Sequence, residues 1–217
     1  MTSVGMFYPL FIGGLLFASV LIPMILRRQL MVRLYAIASL CLALAMIVTF
    51  LQEGVTHLLF AIGATLLIKV FAIPMIMEQM AKRVGASTRL VSKIRPTTTL
   101  FLVIGVLVLV FLNSNHLAVF ATVQPTYVLF TSISLVLIGF LMMVLRRDIY
   151  SEIIGFLTLE NGISLFSLVT VGSGSLFVEG GIFSAILVGA VLMTLLSRRI
   201  CELYGTESTD PLRELTD

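Results

Sequence analysis

Along this chain of 217 residues, apolar positions gather into seven blocks: Phe7–Leu26, Leu34–Leu51, His57–Met77, Thr97–Leu117, Tyr127–Leu145, Ile153–Val171 and Leu176–Leu196. Each is close to the ~20 residues that a helix rising 1.5 Å per residue needs to cross about 30 Å of hydrocarbon. The blocks are too long, and alternate too little, for the strands of a membrane barrel. A segment facing lipid must also satisfy its backbone hydrogen bonds internally. The pattern therefore predicts an all-α, polytopic membrane protein of about seven transmembrane helices. The opening "MTSVGMFYPL" has no basic stretch ahead of the first block, so that block is expected to stay as a span rather than be removed as a signal peptide.

Charge adds an orientation. Only 12% of the residues are charged, about half the share of a soluble domain, and mean hydropathy is +1.13. Arg27, Arg28 and Arg33 fall between the first and second blocks, and Lys82, Arg83, Arg89, Lys93 and Arg95 between the third and fourth. Arg146 and Arg147 separate the fifth and sixth, and Arg198, Arg199 and Arg213 follow the seventh. The alternate connections, "QEGVT", "NSNH" through "TVQPT" and "GSGS", hold no Lys or Arg. By the positive-inside rule the N-terminus is outside and the C-terminus cytoplasmic.

The net charge of +3 is that of retained cytoplasmic loops. It lacks the basic-aromatic patterning of a nucleic-acid surface, so the lipid bilayer and not nucleic acid is the expected environment. Cys41 and Cys201 have no Cys or His at metal-ligand spacing, and no dinucleotide, P-loop or nucleophile-elbow motif is present. No cofactor, metal or catalytic centre is expected.

What remains is a small set of polar groups inside apolar blocks. A charge at mid-bilayer costs at least ~2.5–3.5 kcal/mol, and such residues typically face the protein interior and mark ion or proton routes. Glu160 lies in "GFLTLENGISLF" beside Asn161. At 100° per residue Ser164 and Ser167 share its face, while Gly155, Thr158 and Gly162 share the other. Burial and a nearby cation act on a carboxylate in opposite directions, which can poise it for proton exchange; a protonated acid serving as packing glue is the alternative. Asp148 and Glu152 form a candidate cytoplasmic entrance, against a solvated pairing with Arg146 and Arg147.

Lys69, in "LLIKVFAIPMIMEQ", is the one cation outside the basic loops, and is either a relay group or a structural lysine. Pro74 five residues later removes a helix hydrogen bond and is expected to kink or open the helix. Glu78 would sit opposite Lys69 on an ideal helix, and is either interfacial or a further relay member. His57 and His116 lie at helix ends and read as interfacial.

The segments "LIKVFAIPMIM", "GFLTLENGISLF" and "AILVGAVLMTLLSRRICELYGT" resemble hydrogenase-4 component E, a membrane subunit of group 4 nickel-iron hydrogenase and formate hydrogenlyase complexes, over nearly the whole chain. The last three blocks also resemble the K subunit of respiratory complex I and the C subunit of multisubunit cation/proton antiporters. Four parts follow: 1–96, three helices and the basic loop; 97–123, a fourth helix and outer loop; 124–200, the K-subunit-like unit; and 201–217, a cytoplasmic tail.

The resemblance implies a non-catalytic membrane-arm subunit that contributes to proton or sodium translocation. Its implied partners are antiporter-like and quinone-site-subunit-like membrane proteins and a peripheral nickel-iron hydrogenase arm. Glu160 matches the family's glutamate in the middle helix of the three. The second glutamate that the complex I subunit carries in its last helix is missing here around Ser184 and Ala185. Gly181, Ala185 and Gly189 form a small-residue stripe instead. Glu160 must then find its partner in the third helix or in another chain. An antiporter subunit and a structural spacer remain open as alternatives. In the tail, Asp210 and Pro211 are suited to start a short docking helix.

Overall fold

A computed structural model describes residues 7–54, 58–84, 95–113, 126–146 and 148–170. Among these residues the fold is helical, with no strand. The seventh block, the 181–189 stripe, Arg147, His57, His116, Cys201 and the acidic tail lie outside the described residues.

The first helix, α1, is Tyr8–Leu21; it passes into a single tight turn, Ile22–Met24, where Pro23 has no N–H with which to continue an α-helix. Helix α2 is Arg28–Glu53 and ends on Gly54 at φ 70°, a left-handed C-terminal cap open to glycine without a Cβ penalty. Then come α3 (Leu58–Ala64), a π-helical segment (Thr65–Ala72) and α4 (Ile73–Val84), followed by α5 (Pro96–Leu112), α6 (Thr126–Leu145) and α7 (Ile149–Thr170).

Three stretches are long and apolar enough to cross a membrane: Arg28–Gln52, Leu58–Gln79 and Thr126–Leu145. Tyr8–Met24 and Pro96–Leu112 are shorter apolar helices. Helix α7 has 22 residues but carries Glu152, Glu160 and Asn161.

Arg28 and Arg33, expected in a connection, lie inside α2, which begins six residues before the apolar block does. The apolar block marks the hydrocarbon slab, whereas the helix continues as long as its backbone bonds are satisfied. On the added turns Arg33 is exposed and reaches polar surroundings through its long side chain, whereas Arg28 is buried.

Glycines bring α6 and α7 into backbone contact. A Cβ at Gly139 would lie 2.5 Å from Leu159 N and 2.6 Å from Gly155 O, and one at Gly162 would lie 2.7 Å from Val136 N. Close approach through small residues is how helices associate where no hydrophobic force separates protein from lipid. Helix α2 packs on α1, on the π segment and on α7, so it is the wall these three share.

The interior divides into two apolar clusters. One is largely aliphatic and includes Ile12, Leu15, Leu42, Ile62, Leu129 and Leu165. The other, toward the arginine-bearing connections, holds Met31, Tyr35, Ile73, Met77, Met142 and Leu157.

Candidate functional site

Between those clusters lies a polar layer built by three helical segments. From the π segment comes Lys69, 2% exposed; from α7 come Glu160, 1% exposed, with Asn161 and Ser164; α2 contributes Ser39. The ammonium of Lys69 donates to Glu160 Oε1 at 2.5 Å, to Asn161 Oδ1 at 3.1 Å and to Ser164 Oγ at 3.5 Å. Those bonds match the three donors that an ammonium carries. Glu160 Oε2 is also 2.5 Å from Nζ. The Ser164 hydroxyl donates to Glu160 Oε1 at 2.8 Å, one turn along α7, and the Asn161 amide donates across to Ser39 Oγ at 3.1 Å. Asn161 therefore holds the ion pair with its carbonyl and α2 with its amide.

The π segment explains how a lysine ends up aimed inward at this depth. Thr65, Lys69, Ile73 and Met77 are all buried and recur every four residues. At 3.6 residues per turn a four-residue step drifts by about 40°. A π turn holds one more residue and takes up that drift. The Ile73 N–H closes it by bonding Ile68 O, five residues back, directly before Pro74, which has no N–H to offer. The helix opens at Pro74 as a widened turn on its N-terminal side, and Lys69 lies within it.

A second polar group ties the helix ends on the arginine side. The Arg146 guanidinium, 3% exposed, donates through Nη2 to Pro23 O at 2.6 Å and Ile25 O at 3.2 Å, carbonyls freed where α1 gives way to the tight turn. Asp148 Oδ1 accepts the Ser151 N–H at 2.8 Å and so caps α7. The Arg28 guanidinium lies 5.0 Å from the Tyr150 ring centroid.

Arg146 and Asp148 are buried, which corrects the expectation of a solvated pairing: the α1–α2 connection folds over them. Burial pushes the Asp148 carboxyl above its ordinary range against the opposing pull of the Ser151 bonds and Arg146. Burial likewise pushes Arg146 down.

Of the sequence-derived candidates, Lys69, Glu160, Asn161 and Ser164 converge. Asp148 caps α7 and is buried, while Glu152, on its first turn, is half-buried. Glu78 is exposed on α4 and is not part of the layer. Sequence reasoning missed Ser39 and Tyr35, although Arg28, Tyr35 and Ser39 recur at helical spacing through an apolar run, a signal that was available. Among the described residues no group of three His, Cys, Asp or Glu could hold a metal ion.

The chain is 28% identical to an uncharacterized protein, Rv0085, of Mycobacterium tuberculosis, over 94% of each chain. No family model matches, and no solved structure matches.

Proposed function

We propose that this protein is a non-catalytic membrane-arm subunit of a hydrogenase-type redox complex related to complex I, and that it carries protons, or sodium, through the Lys69–Glu160 layer. The observation that carries the proposal is the ion pair itself: two oppositely charged groups, buried to 2% and 1% exposure, on helices from distant parts of the chain. Removing two charges from water typically costs more than their attraction returns, so such a pair is weak evidence for a stability role. A site that exchanges a proton between an ammonium–carboxylate pair and its neutral form has a reason to retain both groups.

Ser164 and Asn161 support the reading because each holds a member of the pair in place through a bond suited to a charge. The sequence resemblance supplies the setting: antiporter-like and quinone-site-subunit-like membrane neighbours and a nickel-iron hydrogenase arm, in a bacterial or archaeal inner membrane. An antiporter subunit would use the same buried pair without a metalloenzyme beside it. In a structural spacer the pair would tolerate neutral replacements.

The test joins two measurements. In mild detergent the tagged chain should copurify with nickel-iron hydrogenase subunits. Glu160→Gln should leave that assembly intact while abolishing ion translocation. Assembly and translocation both at wild-type levels in Glu160→Gln would eliminate the proton role. Copurification of antiporter subunits alone would shift the setting to the antiporter.

A further inference from the structure

The Lys69 ammonium fills a cage of oxygens that other groups hold in shape. Both carboxylate oxygens of Glu160 lie 2.5 Å from Nζ, Asn161 Oδ1 lies at 3.1 Å and Ser164 Oγ at 3.5 Å. All of them belong to α7, one helix, at positions i, i+1 and i+4. The Ser164 hydroxyl sends its hydrogen to Glu160 Oε1, which leaves its lone pairs for the cage. The Asn161 amide is engaged by Ser39 Oγ of α2, which turns the carbonyl inward. Neither of these bonds involves Lys69, so the cage keeps its shape when the lysine withdraws. Lys69 is the movable partner: it reaches in on a flexible four-carbon stem from the widened π turn before Pro74.

The donor set also selects an occupant. It offers only oxygen, the ligand of hard cations, and neither the imidazole nor the thiolate that transition metals favour. It carries one carboxylate, so a monovalent ion leaves the layer neutral, as the ammonium does, whereas a divalent ion would leave a buried charge without compensation. The 2.5 Å approach of both carboxylate oxygens leaves the centre to a small ion.

We propose that Glu160, Asn161 and Ser164 form a binding site for a sodium ion, which the ion and the Lys69 ammonium occupy alternately. In the exchange one N–H bond of the ammonium breaks and the proton passes to a water molecule. The neutral amine leaves the cage and sodium takes the oxygens as ligands. The charge of the layer is unchanged, and no electrons move. The inference rests on the proposed function and deepens it: sodium is the carried ion, and the proton is exchanged against it.

Around the cage the titratable side chains are Lys69 from the π segment and Glu160 from α7, with Tyr35 of α2 buried one turn before Ser39. Arg28, Arg33 and Glu53 stand near the ends of α2, and Glu152 on the first turn of α7. Helix α3 has no titratable residue, α6 has only Tyr127 near its start, and Glu78 of α4 is exposed.

The experiment measures sodium binding to the purified full-length chain in detergent by the sodium NMR linewidth, with choline chloride holding the ionic strength constant. Half-saturation should rise about tenfold for each pH unit of acidification, because one proton competes with one ion. Tyr35→Phe should keep that slope. Ser164→Ala, which keeps the carboxylate and removes one ligand, should bind roughly tenfold more weakly, and Glu160→Gln should not bind. Sodium should leave the infrared bands of protonated carboxyl groups unchanged, since the proton leaves the lysine. Loss of such a band, or a half-saturation independent of pH, overturns the alternation with Lys69. Undiminished binding in Glu160→Gln and Ser164→Ala places the ion elsewhere and overturns the site. No binding by the wild type at any pH, while Glu160→Gln still blocks translocation in the assembled complex, overturns the sodium site and leaves the layer to protons alone. Wild-type translocation in Glu160→Gln overturns the proposed function, and this inference with it.

Discussion

At the scale of residues, the buried pair behaves as a unit, and its members cannot be assessed singly. Removing one partner of a buried ion pair typically costs about 3–5 kcal/mol because it strands the other charge, while replacing both is often neutral. Lys69→Met should therefore destabilise the protein in detergent by about that much. Adding Glu160→Gln should recover part of the loss and not double it, as a double-mutant cycle on melting curves would reveal. Strictly additive losses would mean that the two side chains do not interact. Asp148 gives a second prediction, at the helix end. Its carboxyl is held above the ordinary value of 3.8 by burial, so the folded protein keeps a proton that the unfolded chain has already released. Stability should then fall as pH rises from about 4 through the folded-state titration, and level off beyond it. Asp148→Asn keeps an acceptor for the Ser151 N–H and should flatten that decline; an unchanged pH profile in the variant would assign it to another group. Glu160 and Lys69 were legible in sequence because a charge in an apolar block is expensive and therefore rare. Tyr35 and Ser39 were overlooked because a single hydroxyl group is common in such blocks; only their helical spacing with Arg28 sets them apart.

Elements are positioned by details that the hydropathy pattern averages away. Apolar blocks located α2 and α6 within a few residues, but not the turns by which α2 overshoots the slab, since hydropathy reports the lipid and helicity depends on backbone bonding. Pro74 signalled a break; its form, a π segment that lines Thr65, Lys69 and Ile73 along one edge, needed coordinates. The small-residue face of α7 was legible at Gly155 and Gly162, yet its counterpart Gly139 was not, because an isolated glycine in an apolar run has no periodic partner in its own helix. That contact yields a third prediction. Gly139→Ala puts a methyl group 2.5 Å from Leu159 N, a backbone atom that cannot turn aside, and should cost about 1–3 kcal/mol or more by overpacking. Gly63→Ala, with nothing within 4 Å of its Cβ, is the matched control and should be tolerated. Equal melting temperatures for the two variants would refute the close approach of α6 and α7.

For the whole molecule, the arrangement of ends matters more than any single contact. Arg27 in the α1–α2 connection, Arg95 before α5 and Arg146 after α6 stand at helix ends joined by connections rich in Lys and Arg, whereas Asn113 closes α5 at the opposite end. The Arg146 bonds to Pro23 and Ile25 tie the α1–α2 turn to the α6–α7 turn on the arginine side. The Lys69–Glu160 layer therefore lies between that tied end and the end where Gly54 and Asn113 close α2 and α5. If the positive-inside rule governs this chain, the tied end faces the cytoplasm. The prediction is directional. In a background with Cys41 and Cys201 replaced by serine, a membrane-impermeant thiol reagent should label Asn113→Cys in intact cells. It should reach Arg27→Cys, an exposed position, only after the membrane is opened. Labelling of both sites from outside, or the reverse assignment, would invert the orientation. The end tied by Arg146 to Pro23 and Ile25 would then be the outward face of the molecule.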